Sequence, residues 1–472
     1  GAGYLAFRAR AVPAGANVRE ATVAVLPLRS GGGDSSQAEL ADGLGDEIVR
    51  RLFGMTGVRV MSRRGAGDYG GRRDFDIRQA ARDLGVQYVV TGSAQVVNGK
   101  WRVNATLTDS TDRGIAWVEQ FERDSSQLGA MLDEIASGVG GTMQRKLGLV
   151  PATRAASSAR RAIHPEALRK YIVAQDALSR RGMRIQRSVE LFREVTRLDS
   201  LYAEAFSGLG LALALTPYFQ PTSAQNVRGE AVASAERAIR LDPTLAQPHI
   251  ALGVVHQSAY QWDRAHREFR MAISRDPRDV EARVQFGRHL LFRDSIAAGL
   301  REFIHARSQD PASALVSSWL SYAYFLSGQA DSALAASNRA FKSDSTNITT
   351  VALGALVRYS MGRTEEARRL TSMLPPAQTA GMFILGALGD SATAMAELRN
   401  VMRGQPERWM SATSRAFAML GAGDTTSALE ALEQATDRRE HWPSLQSVRD
   451  PLLDSVRGSA RFERLLRRVG LR

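Results

Sequence analysis

An α/β domain followed by an all-α solenoid of helical hairpins is the fold class this sequence predicts. Three observations carry the prediction. Short runs of alternating apolar and polar residues, punctuated by turn residues, fill the chain up to about Leu149. A 34-residue periodicity takes over beyond His164. Between them lies "VPATRAASSARRAIHP", a small, polar, Pro-bracketed stretch suited to a linker. At 472 residues the chain also exceeds what one compact core holds. The expected segments are therefore 1–17 as an N-terminal segment, 18–149 as the α/β domain, 150–163 as linker and 164–472 as the solenoid.

In the first domain, period-2 patterns predict strands at Thr22–Leu28, Val58–Ser62, Val86–Val97, Trp101–Asp109 and Ile115–Arg123. "VVNGKW" is a two-residue hairpin signal, because Asn98-Gly99 can supply the positive φ angles of a type I′ turn. Helical spacing puts Leu40, Leu44, Ile48 and Leu52 on one face of Gln37–Phe53. A second helix is expected over Asp76–Leu84, capped by Asp76 and ended by Gly85, and a third over Ser125–Leu147. The order is β-α-β-α-β-β-β-α.

These residues carry a resemblance. "VAVLPLRS", "ADGLGDEIVRRL", "VRVMSR", "DIRQAARDLGVQYVVTGSAQVVNGKWRVNATLTDSTDRGIAWVEQFERD" and "LDEIASGV" follow the order seen in TolB-N-terminal-like (FlgO-like) domains. The resemblance implies an interaction or assembly module without catalytic residues. It also implies a setting between a membrane anchor and helical repeats, in the sensor halves of bacterial membrane-bound Ser/Thr kinases, CadC-like regulators and adenylate cyclases. "GAGYLAFRAR" at the start is compatible with the end of such an anchor, which would make the chain periplasmic or extracytoplasmic.

Beyond the linker, Pro243, Pro277, Pro311 and Ser345 recur every 34 residues. The same slots hold Ala231, Ala265, Gly299 and Ala333; Ala235, Phe269, Phe303 and Ser337; and Ala238, Ala272, Ala306 and Ala340. Leu209-Gly210, Leu252-Gly253, Phe286-Gly287 and Leu320-Ser321 mark the helix that opens each hairpin. This pattern is similar to that of tetratricopeptide (TPR) repeats: small residues let two helices approach, a large one fills the gap, and proline stops the second helix. Weaker copies on either side bring the expectation to about eight hairpins, closed by "DPLLDSVRGSARFERLLRRVGL" as a cap. One hairpin carries nine extra residues within "TPYFQPTSAQNV", where Tyr218 and Phe219 are candidate partner contacts or locally packed aromatics.

Catalytic chemistry finds no support. With no cysteine, thiolate zinc sites, thiol nucleophiles and iron–sulfur clusters are excluded. The seven histidines form no metal-binding spacing, and no nucleophile elbow or kinase signature occurs. Gly31–Gly33 follow a strand and precede a helix, as in a phosphate loop, but "GGGDSSQAEL" offers Asp34, Ser35 and Ser36 where a Walker loop needs Lys-Ser/Thr. A connector is the better reading, and no cofactor is expected. Asp46 and Glu47, four residues before Arg50 and Arg51, read as helix ion pairs.

The net charge of +13 invites a nucleic-acid reading. Arginine supplies almost all of it, interspersed with glutamate along helices. Residues 1–150 hold 19 Lys+Arg against 17 Asp+Glu, and the remainder 43 against 32. The leading expectation is thus a non-enzymatic protein–protein interaction or assembly scaffold, joined to a larger envelope complex or to itself. A basic nucleic-acid-binding regulator, or an enzyme using the Gly31–Gly33 loop, are the alternatives. On the concave face of the repeats the register places Gln247, Val254, Gln257, Glu281, Arg288, Phe292, Tyr322 and Phe325. Arg288 between Phe292 and Tyr322 is suited to an acidic or aromatic group, or these residues pack between helices. The Lys/Asn carboxylate clamp of chaperone-binding repeats is absent.

Overall fold

The computed structural model describes residues 20–31, 35–53, 55–61, 76–112, 114–149, 163–220, 222–374, 379–388, 392–396, 399, 412–439 and 449–471. The N-terminal segment 1–17, Gly32, Gly33, Asp34, Ser62, most of the linker, Pro221 and His441 lie outside them.

The N-terminal domain runs β1 (Ala21–Val25), β2 (Arg29–Ser30), α1 (Ser35–Phe53), β3 (Val58–Met61), α2 (Ile77–Leu84), β4 (Tyr88–Val97), β5 (Lys100–Asp109), β6 (Gly114–Asp124) and α3 (Leu128–Lys146). Its sheet has the order β3-β1-β4-β5-β6, with β2 beside β4. The pairs β1/β3 and β1/β4 are parallel; β4/β5 and β5/β6 are antiparallel. Burial follows from this. The parallel half is covered on both faces, so β1 is apolar apart from Thr22: Val23 and Val25 face Leu44, Ile48 and Leu52 of α1, while Ala24 and Leu26 meet Ala80, Ala81 and Leu84 of α2. The antiparallel β5 alternates strictly, its buried residues Trp101, Val103, Ala105 and Leu107 facing α3. Asn98 and Gly99 take φ of 52° and 78° at the β4–β5 turn. Asp76 caps α2 by accepting from the Arg78 N–H, and Gly85 ends it at φ 66°.

Hairpins follow: α4 (Pro165–Arg180) with α5 (Ile185–Leu198), α6 (Ala203–Leu215) with α7 (Ala224–Leu241), α8 (Gln247–Ser258) with α9 (Trp262–Arg275), and α10 (Val280–Phe292) with α11 (Ile296–Gln309). Next come α12 (Ala314–Leu326) with α13 (Ala330–Ser343), α14 (Ile348–Ser360) with α15 (Thr364–Thr371), α16 (Thr379–Ala387), and α17 (Ala412–Gly421) with α18 (Thr425–Asp437). A 3-10 turn, Pro451–Leu453, and α19 (Ala460–Arg468) finish the chain.

The repeat signature has a direct reading. Gly253 lies against the ring of Phe269 and Gly287 against Phe303, so close that an added Cβ would come within 2.5 and 2.7 Å. At the exits, Asp242 and Asp276 precede proline in extended backbone, and each carboxylate accepts the N–H two residues on. Asp279, Ser313 and Asn347 then cap α10, α12 and α14.

Two glycines give opposite expectations. Gly229, within α7, has open space around it, so Gly229→Ala is expected to stabilise by about 0.5–1 kcal/mol. Gly421 lies against backbone of α16, where an added Cβ would come within 2.3 Å of the Phe383 carbonyl oxygen. Gly421→Ala is expected to destabilise by about 1–3 kcal/mol. Urea titrations of the two variants check the signs.

Both ends of the array are covered. At the N-terminal end, α1 packs on α4: Gly43 lies against Ile172, Arg50 donates to the Tyr171 hydroxyl at 2.6 Å, and Arg180 and Arg187 pair with Asp42 and Glu39 at 2.8 Å. At the other end the chain curls back. Leu452, Leu453, Val456, Phe462, Leu465, Leu466 and Val469 are buried in one core with Trp262, Phe292, Trp319 and Tyr322 of the early hairpins.

Candidate protein-interaction face

The inner side of the array is built by its opening helices, α8, α10 and α12, whose 34-residue repeat brings Val254, Arg288 and Tyr322 to equivalent slots. Arg288 is only 5% exposed. Its guanidinium lies 4.8 Å from the ring centroid of Tyr218 and 4.7 Å from that of Trp319, and it donates to Gln285 at 2.9 Å. Its Nε has no hydrogen-bond partner, and among the described residues no carboxylate lies within ion-pair distance. Burial pushes its pKa down and the charge of Arg181 adds to the effect, while Tyr218 and Glu281 oppose it. Stacking on rings contributes about 0.5–2 kcal/mol, against several kcal/mol for burying an ion. Arg358 of α14 shows the satisfied alternative: it is 8% exposed, yet pairs with Glu366 at 3.0 Å and bonds Ser337 and Asn338 at 2.8 Å.

The rings around Arg288 differ from those expected from spacing along the helix. A long arginine side chain reaches across hairpins, so its partners are Tyr218 from the inserted loop and Trp319 from α12, not Phe292 and Tyr322. Phe292 is buried against Trp262, centroids 5.8 Å apart. Tyr322 is fully buried and donates its hydroxyl to Asp450 at 2.7 Å. Phe325 is half-buried beside Tyr322, centroids 6.5 Å apart. Gln257 is 2% exposed, its amide oxygen 3.1 Å from Nδ1 of His289. Tyr218 and Phe219, both half-buried, sit in and beside a 3-10 turn, Thr216–Tyr218, their rings 6.5 Å apart. The nine extra residues thus reach inward onto Arg288.

Trp319, Arg181, Trp262 and Asp450 were not singled out from sequence. Arg181 ends α4 at φ 54° and pairs with Glu281, which Gln285 also bonds at 2.7 Å. Trp262 donates its Nε1–H to the Val469 carbonyl at 2.5 Å, and Arg449 pairs with Asp294 at 2.6 Å. The C-terminal segment thereby reaches α9, the α10–α11 turn and α12. No local signal marks such contacts, since their partners are 100 to 207 residues apart.

The remaining polar residues are explained by packing. His249 bonds Glu268 and His256 bonds Gln261, both at 2.7 Å. Burial holds His289 down to about 3, with His266 and Arg293 adding to it. Glu47 pairs with Arg50 and Arg51 at 2.6 and 2.9 Å. Within the arginine-rich tail, Arg461 binds Glu433 through two 2.7 Å bonds, Arg457 pairs with Asp454, and Arg468 with Asp437. That pairing weakens the nucleic-acid reading. Among the described residues no helix is long and apolar enough to cross a membrane.

Burial raises Asp450 to about 6, opposed by the Leu452 N–H, the Tyr322 hydroxyl and Arg457. A carboxyl raised in the folded state favours folding when protonated. Its contribution is complete below the unfolded value near 4, is lost as pH rises through about 6, and amounts to about 3 kcal/mol. Wild type is therefore expected to gain stability relative to Asp450→Asn between pH 7 and pH 5, read from denaturation midpoints. The comparison cancels His289, whose lowered value works in the opposite direction as pH falls below its unfolded value.

The solenoid is a tetratricopeptide-type array of helical hairpins. No family model matches the chain. A curated Rhizobium meliloti protein, "Putative adenylate cyclase 3", is 27% identical over 246 residues, which is 52% of this chain and 40% of that protein. The chain thus spans about two fifths of the relative it matches. Among solved structures, YrrB, described as a TPR protein with an unusual peptide-binding site, aligns at 22% identity over 39% of this chain and 90% of its own, with a TM-score of 0.25. Pseudomonas aeruginosa pilF aligns at 17% over 45% and 96%, TM-score 0.35. A monomeric IFIT1 mutant bound to m7Gppp-AAAA aligns at 13% over 72% and 81%, TM-score 0.47. The ligands in those descriptions belong to those proteins.

Proposed function

We propose that this chain is the non-enzymatic interaction half of a larger bacterial regulator, binding a protein partner through the inner face of its repeats. The observation that carries the reading is the inner face itself: between two covered ends, side chains from α4, the α6–α7 connection, α10 and α12 converge on a buried arginine that has no ion pair among the described residues. The TolB-N-like resemblance of residues 18–149 supports a place at the envelope, with an anchor ahead of the chain and the repeats facing away from the cytoplasm. The partial match to a protein named as an adenylate cyclase fits a sensor region attached to an effector. In this reading α1 serves as the N-terminal cap of the array, so the α/β domain and the repeats respond to a partner as one unit. Capture with the immobilised chain from solubilised envelope and from cytosol tests it. Saturable retention of an envelope protein that resists moderate salt is the expected result. Retention of nucleic acid alone, lost as salt rises, or of nothing, would overturn it.

A further inference from the structure

We propose that the inner face between α4 and α10 binds an acidic side chain of an extended protein segment, with Arg288 as the residue that holds its carboxylate and Arg181 beside it. The proposal deepens the scaffold reading and rests on it. Four observations carry it. Arg288 is more than nine-tenths buried, without a carboxylate among the described residues and with an unbonded Nε. The Tyr218 and Trp319 ring centroids lie 4.8 and 4.7 Å from its guanidinium, and the planar N–H fork is the edge that a carboxylate matches. Arg181 brings a second cation whose own Nε is buried and unbonded, while the nearby Glu281 is already engaged by Arg181 and Gln285. Glu281 is thus paired with Arg181 and acts on Arg288 only electrostatically, without an ion pair to it.

The fourth observation commits the occupant. One slot along the same face, 34 residues after Arg288, Tyr322 receives a carboxylate from this chain's own C-terminal segment, Asp450. That segment also carries Arg449 to Asp294 and seats Val469 over Trp262. The inner face therefore already holds an acidic side chain from a non-helical stretch of polypeptide at α12. The preceding slot has the stronger carboxylate-binding group and no such partner.

The probe is a fluorescein-labelled octaglutamate peptide titrated into the full chain at low salt, followed by anisotropy, with octalysine as control. Wild type is expected to bind octaglutamate saturably and octalysine not at all. Arg288→Met, which keeps the length of the side chain, is expected to weaken binding by about 10–100-fold, the loss of a charged hydrogen-bonded pair. Its unfolding midpoint should equal or exceed that of wild type, because a buried cation with no ion pair among the described residues has been removed. Arg288→Lys keeps the charge without the fork and should lie between the two. Arg301→Met, at an exposed site on α11, should bind as wild type does. Equal binding by wild type and Arg288→Met, or none by either, would overturn the site. An envelope partner still captured in that case would leave the scaffold reading standing; the loss of both would remove it as well.

Discussion

Replacing Phe462 by alanine is expected to destabilise the C-terminal half by about 3–5 kcal/mol, the cost of emptying a fully buried aromatic site. The effect should extend beyond α19. Phe462 shares a core with Leu453, Val456 and Leu466 of the returning segment and with Trp262, Phe292 and Tyr322 of hairpins far earlier in the chain. Repeat arrays are stabilised by nearest-neighbour interfaces, so a terminal lesson of this size would ordinarily fray only the last hairpin. Here the end closes onto the middle. Phe462→Ala should therefore release Trp262, whose indole N–H is held by the Val469 carbonyl. Iodide quenching of tryptophan emission should rise in Phe462→Ala and rise less when Trp262→Phe is added. A small shift of the denaturation midpoint with unchanged quenching would show that the closure contributes little.

Tyr171→Ala is the second large expectation, again about 3–5 kcal/mol, and its consequence is a loss of coupling. Tyr171 is 2% exposed and sits where α1 meets α4. Its ring packs against Phe192 at 5.9 Å and Tyr202 at 4.7 Å, and its hydroxyl accepts from Arg50. Removing it leaves Arg50 without that partner and opens the contact between the α/β domain and the first hairpin. Calorimetry should then resolve two transitions where wild type is expected to give a shared one, because the sheet no longer supports the array. A single transition shifted only slightly would mean that Asp42–Arg180 and Glu39–Arg187 hold the contact by themselves.

Local features were legible wherever the physics is local. Asp76 and Gly85 mark the ends of α2 because a cap acts within one turn. Asn98-Gly99 marks the β4–β5 turn because positive φ restricts residue choice. The repeat slots announce the hairpins because Gly253 must admit Phe269 and Gly287 must admit Phe303. Strand edges were less legible: the run Thr22–Leu28 divides into β1 and the two-residue β2, since pairing partners, not hydropathy, decide where a strand ends. The candidate face was legible only in part. The 34-residue register brought Arg288 and Tyr322 to equivalent inner slots. It carried no information on the rings around Arg288, because Tyr218 arrives by an insertion and Trp319 from the next hairpin.

The sequence by itself determined the two-part architecture, the helix and turn chemistry and the absence of thiol chemistry, all of which depend on composition or on residues within a turn or one repeat of each other. Only the tertiary structure decided which inner-face residues meet the inserted loop and the C-terminal segment. Arg288 meets Tyr218 across 70 positions, Tyr322 meets Asp450 across 128, and Trp262 meets Val469 across 207. Small rotations from hairpin to hairpin accumulate along a solenoid, and it is their sum, absent from any single repeat, that brings the C-terminal segment to α12.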